Sequence, residues 1–437
     1  MSGANKNPLS HAGAAWLNRF PSRWDVVRLK SAVRVRSLKR NVVPEDRYVG
    51  LEHVESWTGQ VRDSEDSTAN AEGLGVVFEA GDVLLGKLRP YLAKVFLADR
   101  PGIASTEFLA LQGVHVEPEF LRYCLVSEPF IGAVVAATYG AKMPRANWED
   151  IGNSPQVIPP RQEQRAIADF LDRETAKIDA LIATQERLIA LLDEKRQATI
   201  THAVTKGLDP NAPMKESGVE WLGKVPAQWN IRPLRYVARF TAGAGFPDAE
   251  QGLASEELPF FKVKDLSSGV TTGKLYETDN TISRNTACRL HAKIFPEGTI
   301  VFAKIGAALL LNRFRIVGCN CCIDNNMMGM QCIPRVITPW FARMVMSLLD
   351  MRLLVNPGAV PSLSEGNLSS LKVAIPPLDE QRTIEEQLDY VLAKISHLRN
   401  RSETVIERLR ERRTALITAA VTGQIDVTRQ AITETAK

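Results

Sequence analysis

The chain is written twice, and this duplication constrains its fold more than any other feature. Ile158-Pro159-Pro160, followed by Glu163-Gln164-Arg165, returns about 217 positions later as Ile375-Pro376-Pro377, followed by Glu380-Gln381-Arg382. The same shift aligns Leu171-Asp172 with Leu388-Asp389, Ala176-Lys177-Ile178 with Ala393-Lys394-Ile395, and Ala203-Val204-Thr205 with Ala420-Val421-Thr422. A second echo opens each half. Gly13, Trp16-Leu17, Pro21, Trp24 and Leu29 recur as Gly218, Trp221-Leu222, Pro226, Trp229 and Leu234. Between these anchors the halves share only a skeleton, such as Gly81-Asp82-Val83-Leu84 with Lys87 against Gly298-Thr299-Ile300-Val301 with Lys304. The layout is variable, constant, variable, constant. A duplicated enzyme would be expected to repeat its reactive residues. Here the similar parts read as structural and the differing parts as two distinct readers.

The constant segments are rich in strong helix formers, and no Pro or Gly interrupts the first from Glu163 until Gly207. Apolar residues recur at spacings of three and four: Ile167, Leu171, Ile178, Leu181, Leu188 and Leu192, then Ile384, Leu388, Val391, Ile395, Leu398, Val405, Leu409 and Leu416. That is a coiled-coil seam. The paired prolines set each start, and Gly207 and Gly423 fit as C-terminal stops. Each helix would be about 60 Å long at 1.5 Å per residue. An amphipathic helix needs a partner, and the other copy is the obvious one. A two-fold relation between the halves would make the pair antiparallel. Gln185 and Ser402 fall at equivalent seam positions, where they fix register or tolerate solvent. Arg399, Arg401, Arg408, Arg410, Arg412 and Arg413 alternate with Glu403, Glu407 and Glu411, giving a solvated ion-paired face or a docking face.

The variable stretches, about 20–157 and 225–373, read as mixed α/β with strands at 48–54, 76–78, 83–85, 103–111, 258–263, 299–302 and 327–333. Helices are expected at 117–126 and 338–349. Basic and aromatic residues gather in turn-rich places. Lys87, Arg89, Tyr91 and Lys94 form one cluster in the first half, and Tyr139, Lys142 and Arg145 another. In the second half Lys262, Lys264, Lys304, Arg313 and Arg315 stand out. Lys and Arg on loops suit phosphate contacts, and Arg suits base edges. Singly, each also fits an ordinary solvated surface. The formal net charge of +4 is compatible with a polyanionic partner without requiring one.

Three doubled patterns now meet: Ile-Pro-Pro-x-x-Glu-Gln-x-x-Ile-x-x-x-Leu-Asp at 158–172 and 375–389, Ala-Val-Thr at 203–205 and 420–422, and Trp-Leu-x-x-x-Pro-x-x-Trp at 16–24 and 221–229. Together, over nearly the whole chain, they resemble the specificity subunits of Type I restriction-modification systems. The resemblance implies an α+β chain with two target-recognition domains, at 1–157 and 211–374. Spacer helices at 158–210 and 375–437, packed as an antiparallel coiled coil, would separate them. It implies a non-catalytic subunit that reads a split, asymmetric DNA site. It also implies two methyltransferase subunits as partners, together with translocase-nuclease subunits. S-adenosylmethionine, ATP and Mg would belong to those partners, and no cofactor to this chain. The counterpart of 139–145, at 356–361, lacks Lys and Arg, so a DNA role shared by both loops is in doubt.

The missing motifs agree with that reading. There is no Gly-x-x-x-x-Gly-Lys-Ser/Thr loop, no Asn/Asp-Pro-Pro-Tyr/Phe run, no His-Glu-x-x-His and no Gly-x-Ser-x-Gly. Cys319, Cys321, Cys322 and Cys332, with Cys288 and His291, raise structural zinc, but only Cys319 and Cys322 have the usual spacing. Buried apolar thiols are the better reading. Six cysteines in 437 residues are no secreted disulfide framework. The first 17 residues lack the apolar core of a signal peptide, and no apolar run is long enough to span a bilayer. A cytoplasmic protein with free thiols is the expectation. Two rivals remain: a scaffold joining two protein-binding domains, and a pair of diverged catalytic domains.

Overall fold

The repeated segments form two long α-helices, Arg161–Lys206 and Leu378–Val421. The computed structural model describes residues 20–62, 73–140, 142–268, 273–356 and 360–427. Gly13 and Trp16-Leu17 of the opening echo, and 357–359 of the second loop, lie outside the described residues. The chain divides into two compact units, Met1–Arg187 with Ser402–Lys437, and Leu188–Arg401. Each unit therefore contains part of both long helices, whereas the sequence places domain boundaries at the helix ends.

In the first unit, the start of the first helix packs against the end of the second. Ile167, Leu171, Ile417 and Ala420 share one buried core. Asp179 pairs with Arg413 at 2.9 Å and Glu186 with Arg410 at 3.3 Å, so one helix ascends as the other descends. In the second unit, Ile200, Ala203 and Val204 meet Ile384 and Leu388, and Asp193 pairs with Arg399 at 3.4 Å. The packing is antiparallel in both.

The seam differs in detail from the sequence pattern. Leu181 and Leu398 are 52% and 48% exposed. The inward positions of the first helix run Ile178, Ile182, Gln185, Ile189 and Leu192, and those of the second include Ile395, Ser402, Ile406, Arg413 and Ile417. Neighbouring residues lie about 100° apart on a helix, so two apolar stripes one residue apart compete. The ion-paired residues settle the choice. Arg413, read from sequence as one of a surface run, is buried in the seam, with Nη1 donating to the Trp57 carbonyl at 3.0 Å.

Each globular part begins and ends at a helix base. Asp25–Arg28 pairs antiparallel with Pro155–Ile158, and Asn230–Pro233 with Lys372–Ile375. Each contains the same antiparallel core. In the first unit the order is Val33–Val35, Phe108–Gly113, Val83–Gly86, Val95–Leu97. In the second it is Ala238–Ala242, Met327–Cys332, Ile300–Ala303, Arg315–Val317, with Lys274–Leu275 added in parallel. A helix from Pro118–Val126 or Pro339–Leu348 covers this sheet. A further small sheet completes each unit. The expected strand at 48–54 is only Tyr48–Val49. Leu51–His53 turns as a 3-10 helix because His53 Nδ1 accepts the Gly50 N–H at 3.0 Å.

The repeated Glu-Gln pair is the staple between helix and domain. Trp24 Nε1 donates to Glu163 at 2.9 Å, and Trp229 Nε1 to Glu380 at 2.9 Å. Gln164 accepts the Glu117 N–H at 2.7 Å and donates to the Pro159 carbonyl at 2.8 Å. Gln381 accepts the Thr338 N–H at 2.8 Å and donates to Val336 and Pro376 carbonyls, each at 2.9 Å. The helix ends lock in the same way. Gly207 (φ 74°) abuts Trp229 and Glu380, and Gly423 (φ 72°) abuts Pro21 and Trp24. A side chain at Gly423 would meet Pro21 at 2.5 Å, as well as requiring a left-handed backbone. Gln381→Leu keeps the volume but strands three backbone groups, so it should cost about 3 kcal/mol, read by chemical denaturation. Asp179→Asn should cost about 2 kcal/mol, with part regained in the Asp179→Asn, Arg413→Met double variant.

Candidate nucleic-acid interface

Two basic clusters that are far apart in sequence form one surface in the first unit. The Leu88 and Arg145 backbones bridge, as do those of Tyr139 and Arg145. Arg89 N–H donates to the Pro144 carbonyl at 2.7 Å, and Ala146 N–H to the Lys87 carbonyl at 3.1 Å. Arg89 holds a left-handed backbone (φ 51°), which turns the chain into the short helix Pro90–Leu92. Lys87, Arg89, Tyr91, Tyr139, Lys142 and Arg145 thus share one rim. Arg89, Lys142 and Arg145 are exposed, and Tyr139 is 57% exposed. Arg145 leans on Glu107 at 2.6 Å. Burial pulls Lys87 below the usual lysine range, with Arg145 and Lys39 adding to this and Glu107 opposing it. Lys39 is the residue that sequence reading missed. Its signal was the alternating basic run from Arg34 to Arg40.

Lys94 belongs elsewhere. Its Nζ donates to the Leu51 carbonyl at 2.5 Å, and burial depresses its pKa. Surface contact does not fit it, because an internal carbonyl holds the ammonium.

The second unit keeps the frame but not the cluster. Lys304 stands where Lys87 does: its N–H donates to Asn326 and its carbonyl accepts from Leu363, as Lys87 uses Glu107 and Ala146. The Ile305–Ser362 bridge corresponds to Leu88–Arg145. Lys262 donates to Gln251 at 2.7 Å. Lys264 pairs with Asp279 at 3.0 Å, which raises its pKa. Arg313 is exposed. Arg315 is 8% exposed and donates to the Ser268 and Phe314 carbonyls at 2.8 and 3.1 Å, so it lies apart from the exposed loop cations. These five residues therefore do not act as one set of free cations.

The cysteines are mostly interior. Burial pushes the Cys321 thiol up and holds Cys322 at about 11 and Cys332 at about 12. Among the described residues no group of three or more His, Cys, Asp or Glu is placed to hold a metal, and no helix is long and apolar enough to cross a membrane.

These features define a duplicated α+β protein in which each domain is stapled to a pair of antiparallel helices. Residues 226–408 match the family described as Type I restriction modification DNA specificity domain. The chain is 24% identical over 206 residues to the Type I restriction enzyme EcoDI specificity subunit of Escherichia coli, spanning 46% of each protein. It is 21% identical over 423 residues to the MjaVIII specificity subunit of Methanocaldococcus jannaschii, spanning 94% of each. The chain thus matches about half the length of the first relative and nearly all of the second. A structure from a study of complex assembly and conformational transition of the type I R-M system shares the fold at a TM-score of 0.72. It has 18% identity, over 93% of this chain and 100% of that one. The chain is thus similar to the specificity subunits of Type I restriction-modification systems, by its matched domain at 226–408 and along most of its length.

Lys94→Met should lower stability by about 1 kcal/mol because the Leu51 carbonyl loses its donor, whereas Lys142→Ala should change it by less than about 0.5 kcal/mol. Thermal melts of the two variants check this.

Proposed function

We propose that this chain is the sequence-reading subunit of a Type I complex. It binds double-stranded DNA at a bipartite, asymmetric target, one half per globular domain, and performs no chemistry itself. Two methyltransferase subunits and the restriction subunits are its partners, and S-adenosylmethionine, ATP and Mg act on those subunits. The complex works in the cytoplasm.

The observation that carries the reading is the contrast between what is repeated and what is not. Anchor residues recur bond for bond: Glu163 with Glu380, and Gln164 with Gln381. The surfaces on the matching frames differ. One carries Arg89, Tyr139, Lys142 and Arg145, and the other carries Lys304 beside a hairpin, Val355–Asn356 with Ser362–Leu363, that has no Lys or Arg. Two similar mounts with unlike faces suit two unlike half-sites. In this proposal, exposed Lys and Arg neutralise phosphates and fix register, while Arg and the tyrosines face base edges and sugar. DNA affinity then falls steeply with salt. Lys142→Ala should weaken binding across sequences and lower the salt slope by about one. An unchanged slope in a filter-binding titration speaks against this face.

The helices act as the spacer in this proposal, which predicts a geometric effect. Inserting four residues into each, at facing positions, adds about 6 Å of rod. The unread spacer of the target should lengthen by about two base pairs. Mapping of methylated sites reads this directly, and an unchanged spacer removes the ruler.

A further inference from the structure

The second unit contains a cavity of about 590 Å³ lined by Arg196, Arg315, Arg343 and Arg352. Asp350 serves Arg352 through two bonds of 2.9 Å and is spent. Among the described residues no carboxylate lies within ion-pair distance of Arg196, Arg315 or Arg343, and the buried Nε of Arg343 has no hydrogen-bond partner. Arg343 is depressed first by burial and then by the like charge of Arg315, with Arg196 adding to it. Asp389 and Glu385 act in the opposite direction without bonding it. Asp389 accepts Trp340 Nε1 at 3.0 Å, and burial pushes Glu385 towards its neutral form.

The internal repeat gives this concentration of charge its meaning, because the first unit shows each position with its charge answered. Gln164 and Gln381 fix the equivalent frames, and Pro118 and Pro339 open the equivalent helices. On the same turn after those prolines stand Arg122 and Arg343. Arg122 pairs with Asp172 at 2.6 Å, whereas Asp389, the repeat of Asp172, is taken by Trp340. Arg413 is the repeat of Arg196. It pairs with Asp179 at 2.9 Å, but the repeat of Asp179 is Ser396, which carries no charge. Arg315 faces Val301 across its strand pair, the register that Phe96 holds against Leu84 in the first unit. One half packs a phenylalanine and two answered arginines. The other half has exchanged the phenylalanine for a third arginine and lost the bonds to both carboxylates. Convergent unpaired cations in a partly dry site are costly unless an anion completes them.

We propose that this cavity, where Arg196, Arg315 and Arg343 converge against the second domain, is a binding site for a phosphate-bearing anion. The guanidinium fork matches phosphate oxygens in bidentate fashion. The volume holds more than one phosphate group. Either a DNA backbone diester or a free polyphosphate supplies that chemistry. The site does not depend on the basic rim of the first unit, so it stands or falls separately from the reading above.

The test titrates the purified full-length chain with inorganic diphosphate by calorimetry, at constant ionic strength. It also measures the salt slope of duplex binding by the chain with its partner subunits. Arg343→Met removes the deep cation while keeping bulk, and Arg196→Gln changes an exposed helix position that no fold contact needs. Saturable diphosphate binding that weakens at least tenfold in both variants supports the site. An unchanged salt slope then assigns a free phosphate compound. A slope smaller by about one in both variants assigns a backbone phosphate, with or without diphosphate binding. An unchanged slope overturns the proposal when it comes with diphosphate affinity equal in wild type and variants, or with no saturable binding. So does a cavity that answers only to polyglutamate, since that would mark a carboxylate-bearing protein partner.

Discussion

Everything in this protein hangs on two buried glutamines. Gln164 and Gln381, 1% and 0% exposed, sit in the first turn of the long helices and satisfy backbone groups on both sides of the junction. A helix start leaves N–H groups without partners, and a proline pair upstream supplies none. The glutamine amide solves the opposite problem: it takes an N–H from the helix-opening turn of the domain and gives its own hydrogens to carbonyls at the proline corner. Because it is both donor and acceptor in one plane, the domain and the long helix are fixed in angle as well as position. Glutamate beside it, bonded to the indole of Trp24 or Trp229, closes the same corner from the other face.

The rest follows from using that corner twice. The first helix ends against Trp229 and the second against Trp24, each through a left-handed glycine. Each corner therefore receives the start of one long helix and the end of the other. Once the mounts are fixed, the faces they hold are at liberty to diverge. The same strand register supports Phe96 in one unit and Arg315 in the other, and the same loop after Lys87 or Lys304 meets a basic hairpin in one and a neutral hairpin in the other. The proposed task, discriminating between DNA sequences, needs that separation of scaffold from surface.

How much of this was legible beforehand depended on whether a residue acts locally. The duplication, the two helices and their stops at Gly207 and Gly423 came from composition and repeats, since helix propensity and left-handed glycine are local properties. The seam came in part: Ile178, Leu192 and Ile395 face inward as read, but Leu181 and Ile182 offer adjacent stripes and only the partner decides between them. The coarse α+β class was readable; the order of strands was not, because pairing between Phe108–Gly113 and Val83–Gly86 is non-local. At the candidate interface, sequence gave two basic clusters and could not know that the Leu88–Arg145 bridge joins them. It could not know that Lys94 and Arg315 turn inward, since a lysine bound to a carbonyl and one in water look alike in a sequence. The role of Gln164 and Gln381 was hidden for the same reason. Their repetition was visible, but their bonds were not.

The proposed function comes down to one claim: a single chain with two unlike readers dictates one split target. Sequencing the adenine methylation of a genome with the gene present and deleted measures it directly. The account predicts one motif that depends on this chain, with two specified halves of different sequence around a spacer of fixed length and free composition. A chain-dependent motif that is continuous, or methylation that is the same in both strains, would contradict it.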